Sequence, residues 1–373
     1  MSCWHRHVGA LLLATGLVVL AAPSGAARQP VDRHLTKIQV ADGVYLFRSP
    51  NYGDVGLDGN SVVIISRDGV LVFDTNGTPA AAEAVLSEIR AMTNQPVRYV
   101  VNSHWHWDHW YGTEVYQRAF PDARIIAHQK TRDMMMGPAL AFNQPGLDND
   151  LPAYIASLEH RRADAASAGK ADEAAKLGAV LDEDRRFLDQ KRAVHHTFPN
   201  LTFTDQLDLH MGERLIQVRD VDRAVTPGDA FLYLPNEKVL ITGDLLVNPV
   251  TFALSCYPAG WLRTLERLET LEASIIVPGH GAPLNDKQLL HDTEEVLRIL
   301  IREGTAARKR GVDVDDAKTS ILASIAGPMG RITKGDPAVT QAFTVQLVDW
   351  CLHRVYEEPD GPLSDAIAPI PRR

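Results

Sequence analysis

The sequence His104-Trp105-His106-Trp107-Asp108-His109 places three histidines and one aspartate within six residues. Imidazole nitrogens and carboxylate oxygens are ligands that zinc takes in proteins. In an extended segment the side chains at 104, 106 and 108 point to one side, whereas His109 turns to another side. One short segment is therefore expected to serve two adjacent metal positions. Trp105 and Trp107 interleave these residues and either wall a dry pocket or simply pack.

The segments before this cluster alternate between strands and helices. Asp68-Gly69 is a tight turn between two runs rich in β-branched residues, which predicts a β-hairpin. Thr78-Pro79 is typical of a helix start, and it predicts a helix from Ala80 to about Met92. Strands are predicted at 43–47, 60–65, 70–74, 97–101 and 124–127. The histidine cluster thus follows the carboxyl end of a strand in a layered α/β unit.

The second half contains an insert and a return to strands. Residues 140–196 are rich in Ala, Glu, Asp, Lys and Arg, with apolar residues at helical intervals, which predicts one or two helices inserted between core strands. The pair His195-His196 at its end is interpreted as a surface pair. Strands are predicted at 201–203, 215–218, 231–234, 239–242 and 274–277, with a helix at 261–272 and mostly helices from Asp286 onward.

Composition excludes several classes of function. The 373 residues are 45% hydrophobic and carry a net charge of -9 without a strongly basic stretch. Binding to nucleic-acid phosphates needs clustered Lys and Arg, so a nucleic-acid surface is not expected. The length suits one large domain with additions or two domains.

The N-terminus is typical of a secretory signal peptide. Arg6 precedes an apolar run at 9–22 and small residues at 24–27, which predicts a signal at 1–27 and a periplasmic or secreted protein. The alternative is an uncleaved anchor; after signal removal no stable membrane insertion is expected. Export permits a disulfide between Cys256 and Cys351, and two separate buried thiols are the alternative.

The motifs resemble those of the metallo-β-lactamase superfamily. His104-x-His106-x-Asp108-His109 resembles its HxHxDH signature, and three further motifs follow in the family's order: Thr226-Pro227-Gly228-Asp229, 240–244 ending in Asp244, and Pro278-Gly279-His280-Gly281. The resemblance covers roughly residues 40 to 290. It implies an αββα sandwich at 35–300, with the helical insert at about 140–196 and a helical C-terminal extension at 301–373, and metals held between the edges of the sheets.

The resemblance also implies the roles of individual residues. His104 and His106 would hold a first metal, and Asp108, His109 and His280 a second, with Asp244 bridging both. Asp108 would in addition orient or deprotonate the attacking water. The family usually has a histidine directly before the TxGD turn, where this chain has Val225. Valine does not bind metal, so one or two Zn²⁺ ions are expected, with the first site weakened. In lacking this histidine the chain resembles an exported branch of the superfamily, in which asparagine often occupies the position of Val225.

These features predict a zinc-dependent hydrolase that acts on a small-molecule ester, lactone, thioester or amide, with β-lactams as one member of the set. Zinc lowers the pKa of a bound water toward about 7 and so supplies hydroxide at neutral pH. The alternatives are a degenerate metal-binding protein without catalysis, a thioesterase of the glyoxalase II type and an iron-dependent sulfur dioxygenase. The oligomeric state does not follow from the sequence.

Overall fold

The fold is seen in a computed structural model, which describes residues 34–53, 56–221, 223–357 and 363. The predicted signal peptide at 1–27 and most of the Pro-rich tail lie outside the described residues. Within the described ranges, no helix combines the length and the apolar character that a membrane crossing requires.

The first sheet has seven strands among the described residues, arranged in chain order. They are β1 (Thr36–Ala41), β2 (Val44–Arg48), β3 (Ser61–Ser66), β4 (Gly69–Phe73), β5 (Val97–Val101), β6 (Arg124–His128) and β7 (Leu201–Phe203). Neighbours are antiparallel from β1 to β4 and parallel from β4 to β7. The β3–β4 hairpin turns at Gly69, whose φ of +136° favours glycine. Helix α1 (Pro79–Met92) connects β4 to β5, and the Thr78 hydroxyl caps it by accepting from the Ala81 N–H, as the sequence predicted.

The second sheet has five strands in the described ranges, in the order β12-β11-β10-β9-β8. They are β8 (Gln206–Met211), β9 (Arg214–Asp220), β10 (Ala230–Leu234), β11 (Val239–Gly243) and β12 (Ile275–Pro278). The pair β11–β12 is parallel and the other pairs are antiparallel. A helix, α8 (Pro258–Glu269), connects the two parallel strands, as a parallel connection requires.

The two sheets pack face to face through buried apolar side chains. Val62 and Leu71 of the first sheet belong to the same buried cluster as Leu232 and Ile241 of the second. The outer face of the first sheet is covered by α1 and α3 (Thr113–Ala119). The outer face of the second sheet is covered by α8 and α9 (Gln288–Lys309). The αββα sandwich is therefore confirmed.

The remaining helices belong to the loops after β5 and β6, to the insert and to the C-terminal extension. Two short helices, α2 (Trp107–Trp110) and α4 (Gln129–Met135), follow β5 and β6 respectively. The insert forms α5 (Pro138–Pro145), a π-helical turn (Gly146–Asp150), α6 (Leu151–Ser167) and α7 (Ala171–Arg192). The C-terminal helices are α10 (Val314–Ser324), α11 (Ala326–Thr333), α12 (Pro337–Ala342), a π-helical segment (Phe343–Asp349) and α13 (Trp350–Glu357). Phe343 and Leu352 join the cluster that also contains Leu265 of α8. The C-terminal extension thus packs onto the sandwich, and its predicted start at residue 301 falls inside α9.

Cys256 and Cys351 both lie buried in that cluster. They are not joined in a disulfide. The alternative of two buried thiols is therefore confirmed.

Candidate metal centre

The candidate ligands meet where three strands end. The segment from His104 to His109 follows β5, Asp244 follows β11, and His280 follows β12. All three strands end at the same edge of the sandwich, so residues far apart in sequence converge there. The segment bends at His104 and Trp105, and α2 begins at Trp107. The rings of His104 and His109 lie only 4.3 Å apart, so the prediction that His109 turns to a different side from His104 is wrong.

Asp108, His109 and His280, here called the second ligand group, lie close together. The His280 Nε2 atom lies 3.0 Å from Asp108 Oδ2 and 3.2 Å from His109 Nε2. His109 Nε2 lies 3.4 Å from Asp108 Oδ2. One atom of each residue lies within 4.8 Å of the other two, which is the spacing of groups that hold one metal ion.

His104, His106 and Asp244, here called the first ligand group, are more loosely spaced. Asp244 Oδ2 lies 3.6 Å from His104 Nε2 and 3.9 Å from His106 Nδ1. Asp244 Oδ1 lies 3.3 Å from His109 Nε2. His104, His109 and Asp244 form a second compact set within 4.8 Å. His109 therefore lies between the two groups, and His106 lies at the outer edge.

Two buried polar atoms support a metal in this position. His104 Nε2 and Asp244 Oδ1 are buried and have no hydrogen-bond partner among the described residues. Leaving such atoms unpaired costs free energy, so native structures pair them with protein, water or an ion. Imidazole nitrogens and carboxylate oxygens together fit a divalent metal ion.

Asp74 supports both ligand groups through hydrogen bonds. It follows β4 with a φ of +58°, in the left-handed region. It accepts hydrogen bonds from the Ser103 N–H at 2.7 Å and the Ser103 hydroxyl at 2.7 Å, and His109 Nδ1 lies 2.8 Å away as a donor. The Ser103 oxygen in turn lies 2.8 Å from His104 Nδ1 and accepts from it. In their neutral form both histidines would carry the proton on Nδ1 and direct the Nε2 lone pair into the site.

Asn60 fixes the loop that carries His280. Its backbone N–H donates to the Gly279 carbonyl at 2.7 Å, and its side-chain amide donates to the carbonyls of Pro278 and Gly281. A Cβ on Gly279 would lie only 2.0 Å from Asp244 Oδ1, so the close approach of this loop requires glycine. The roles of Asn60, Asp74 and Ser103 were missed from the sequence, because hydrogen bonds between distant segments leave no local pattern.

The charges of the site are strongly coupled. Burial raises the pKa of Asp108 and of Asp244, but His109 and His280 outweigh it and hold both values well below the usual range. Burial alone would lower the pKa of His109, yet Asp244, Asp108 and Asp74 hold it well above the ordinary value. Burial, with His109 and His106 nearby, lowers the pKa of His104 well below its ordinary value. Without metal the site therefore holds ionised carboxylates beside a protonated His109.

The turn after Val225 has the hydrogen bonds expected of its motif. Asp229 accepts from the N–H groups of Val225 and Thr226, both at 2.8 Å. Burial raises the pKa of Asp229 to about 7. Val225 itself is fully buried and belongs to the apolar cluster that contains Leu245 and Ala253. The chain therefore places an apolar side chain at the position where a histidine was expected from the resemblance.

The insert contacts the histidine segment through α7. Lys191 Nζ lies 3.5 Å from the Trp107 ring centroid and 4.1 Å from the Tyr111 ring centroid, the distance range of cation–π contacts. Burial lowers the pKa of Lys191 well below its ordinary value. His195 is 88% exposed, and His196 stacks on the Trp110 ring at 5.4 Å. His195-His196 is therefore a surface pair, as predicted.

Comparison with known proteins places the chain in a family. The model of the metallo-β-lactamase superfamily matches residues 54–280. A linear primary-alkylsulfatase from Pseudomonas sp. (strain ATCC 19151) is 25% identical over 254 residues, which are 64% of this chain and 43% of the relative. The chain thus spans less than half the length of that relative.

Solved structures share the fold. A metallo-β-lactamase from Pontibacter korlensis is 18% identical and aligns with a TM-score of 0.50 over 71% of this chain and 99% of its own. A stereoselective inverting sec-alkylsulfatase from Pseudomonas sp. is 17% identical and aligns with a TM-score of 0.57 over 88% of this chain and 52% of its own. The chain belongs to the metallo-β-lactamase superfamily.

Proposed function

We propose that the protein is a zinc-dependent hydrolase in which the first and second ligand groups hold one or two ions. The observation that carries the proposal is that two buried atoms, His104 Nε2 and Asp244 Oδ1, make no hydrogen bond to any described residue and lie beside the compact set of Asp108, His109 and His280. When bound, zinc lowers the pKa of a water toward neutrality and polarises the oxygen of the bond to be broken.

The chain's own residues position the reacting groups. The Asp108 carboxylate lies 3.0 Å from His280 Nε2 and 3.4 Å from His109 Nε2, so a metal bound there would keep it ionised and able to accept a proton from a water that it orients. Asp74 keeps the ring of His109 in one tautomer, and Ser103 does the same for His104. These contacts fix the site before substrate arrives, which lowers the reorganisation needed during the reaction.

The substrate class follows from the site and from the relatives. Metal-activated water acts on esters, lactones, thioesters and amides, including β-lactams. The curated relative is named a linear primary-alkylsulfatase. We therefore add sulfate esters to the set and place them first among the substrates to be tested. The predicted export disfavours a glyoxalase II type of substrate, because glutathione thioesters are chiefly cytoplasmic.

A non-catalytic metal protein is the second candidate, and Val225 is the observation that favours it. A purely structural zinc site is closed by four protein ligands, whereas a catalytic site keeps one position open. The first ligand group, with two histidines and the shared Asp244, supplies only three protein donors, because Val225 stands where a histidine was expected, and this leaves a position for water. We therefore favour catalysis.

The test is metal analysis of the purified protein, followed by a panel containing an alkyl sulfate, a carboxylic ester, a lactone, a glutathione thioester and a β-lactam. We expect bound zinc and turnover of at least one sulfate or carboxylic ester, lost on chelation and restored by zinc. Asp108→Asn should lower turnover, with zinc measured alongside. A protein that binds zinc but turns over none of the panel would support the non-catalytic alternative.

A further inference from the structure

A row of aromatic side chains runs past His106 at the outer edge of the candidate metal centre. On one side, the Trp105 ring lies 4.6 Å from the His106 ring, and Phe142 lies 6.2 Å beyond Trp105. On the other side, Phe252 lies 5.8 Å from His106, and Trp350 lies 4.5 Å beyond Phe252. These spacings are those of edge-to-face aromatic contacts. The four aromatic residues are here called the aromatic row.

The aromatic row is assembled from distant parts of the chain. Phe142 belongs to α5 of the insert, Phe252 to the segment between β11 and α8, and Trp350 to the first turn of α13. The Ala253 N–H donates to the Gln346 carbonyl at 2.9 Å, which ties the segment of Phe252 to the segment that leads into Trp350. The fold thus brings an insert and a C-terminal helix to the same ligand, His106.

The members of the aromatic row differ in exposure. Trp105 is fully buried and packs in the cluster that contains Met135. Phe142, Phe252 and Trp350 are only partly buried, as is His106. Apolar surface is therefore left accessible on both sides of a candidate metal ligand. Binding sites for small molecules commonly combine such apolar walls with a few converging polar groups.

We propose that Phe142, Phe252 and Trp350 bind the apolar part of the substrate, an alkyl or aryl group attached to the bond that is hydrolysed at the metal centre. The inference rests on the proposed function, and it adds the class of substrate: an ester with a hydrophobic chain. An aromatic surface favours alkyl and aryl groups because each buried methylene gains transfer free energy. Phe142 and Phe252 lie inside the matched residues 54–280 and Trp350 lies outside them, so the C-terminal extension would contribute one of the three side chains.

The decisive test measures binding without turnover. Alkylsulfonates have a carbon–sulfur bond that the proposed hydrolysis does not break, so calorimetry of the zinc-loaded protein with ethane-, butane- and octanesulfonate reads the apolar contact alone. Wild-type affinity is expected to rise roughly threefold to fourfold for each added methylene. Phe252→Ala and Trp350→Ala should weaken octanesulfonate binding by roughly tenfold and leave ethanesulfonate binding unchanged.

A matched control removes an aromatic ring elsewhere. Phe198 is partly buried and contacts Trp110 at 5.7 Å. Phe198→Ala should leave the dependence on chain length unchanged. Phe142→Ala tests the other end of the row if a variant at 252 or 350 fails to fold, and bound zinc with circular dichroism identifies the folded variants.

The outcomes separate this inference from the proposed function. Binding that depends on chain length in the wild type and loses that dependence in the variants supports the inference, even if no ester in the panel is hydrolysed. Equal affinity for short and long sulfonates, or a dependence that survives both substitutions, overturns it, even if an ester is hydrolysed. Tighter binding of tetramethylammonium than of octanesulfonate would also overturn it, because the aromatic row would then bind cations.

Discussion

The two ligand groups differ in spacing and in support. In the second group, Asp108 and His280 lie 3.0 Å apart, and His109 is hydrogen-bonded directly to Asp74. In the first group, the shortest distance from Asp244 to one of its histidines is 3.6 Å, and His104 reaches Asp74 only through Ser103. One sequence motif thus contributes to two ligand groups of unequal spacing, because their other members come from different loops.

Loss of His109 should have the largest effect, because it lies between the groups. His109→Ala is expected to remove most bound zinc and to lower turnover roughly a thousandfold, since metal chemistry supplies several kcal/mol of the rate enhancement. Metal analysis and turnover of the best panel substrate check this. The exposed His195→Ala is the matched control and should leave both unchanged. Full metal content in His109→Ala would contradict the assignment.

Substitutions at Asp74 and Ser103 should affect the metal affinities of the two ligand groups differently. Asp74→Asn removes the acceptor that both histidines share, and hydrogen-bond partners of metal ligands typically contribute 10–100-fold in metal affinity, so a loss of roughly that size is expected for both ions. Ser103→Ala should weaken only the ion near His104. Chelator competition on both variants gives the two affinities. Equal losses at both ions in Ser103→Ala would show that the link from Asp74 to His104 does not matter.

Val225→His should have a smaller effect than the substitutions above, and it should act on the first ligand group. If the backbone at 225 faces the first ligand group, the new imidazole adds a donor and raises zinc content toward two ions per chain. Before metal is added, the polar ring in an apolar cluster should cost about 1–3 kcal/mol of folding free energy. Val225→Leu controls for the change in volume. Unchanged zinc content in Val225→His would show that residue 225 faces away from His104 and His106.

The smallest expected effect concerns pH. The carboxylates around His109 and His280 raise both pKa values above the ordinary 6.5, despite burial. A raised histidine pKa stabilises the fold fully below pH 6.5, and this contribution is lost as pH rises through the raised value. The metal-free protein should therefore melt at lower temperature on going above pH 6.5. The zinc-loaded protein should not, because its histidines are already deprotonated. If the melting temperatures of the metal-free and zinc-loaded proteins changed with pH in the same way, the raised pKa values of His109 and His280 would not be stabilising the metal-free fold.

Much of the fold followed from local patterns in the sequence. The β3–β4 hairpin and α1 were predicted because turn glycine, β-branched runs and a Thr-Pro start act within a few residues. The strands β1 and β8 were missed. β1 is mostly exposed, and β8 has only two buried residues among mostly exposed ones. Neither strand therefore has the continuous apolar run by which a buried strand is recognised.

The site was predictable only in part. His104, His106, Asp108 and His109 lie in one segment, and Asp244 and His280 were recognisable through the resemblance. The structure brings all six together. The aromatic row was not predictable, because Phe142, Phe252 and Trp350 meet only through the packing of an insert and a C-terminal helix on the sandwich.

A zinc titration of the metal-free protein by calorimetry, with His280→Ala and His106→Ala beside it, shows whether the two ligand groups bind zinc with unequal affinity. Two binding steps of unequal affinity are expected in the wild type. His280→Ala should lose the tight step, and His106→Ala should lose the weak one. A single step that both substitutions reduce equally would contradict two unequal ligand groups.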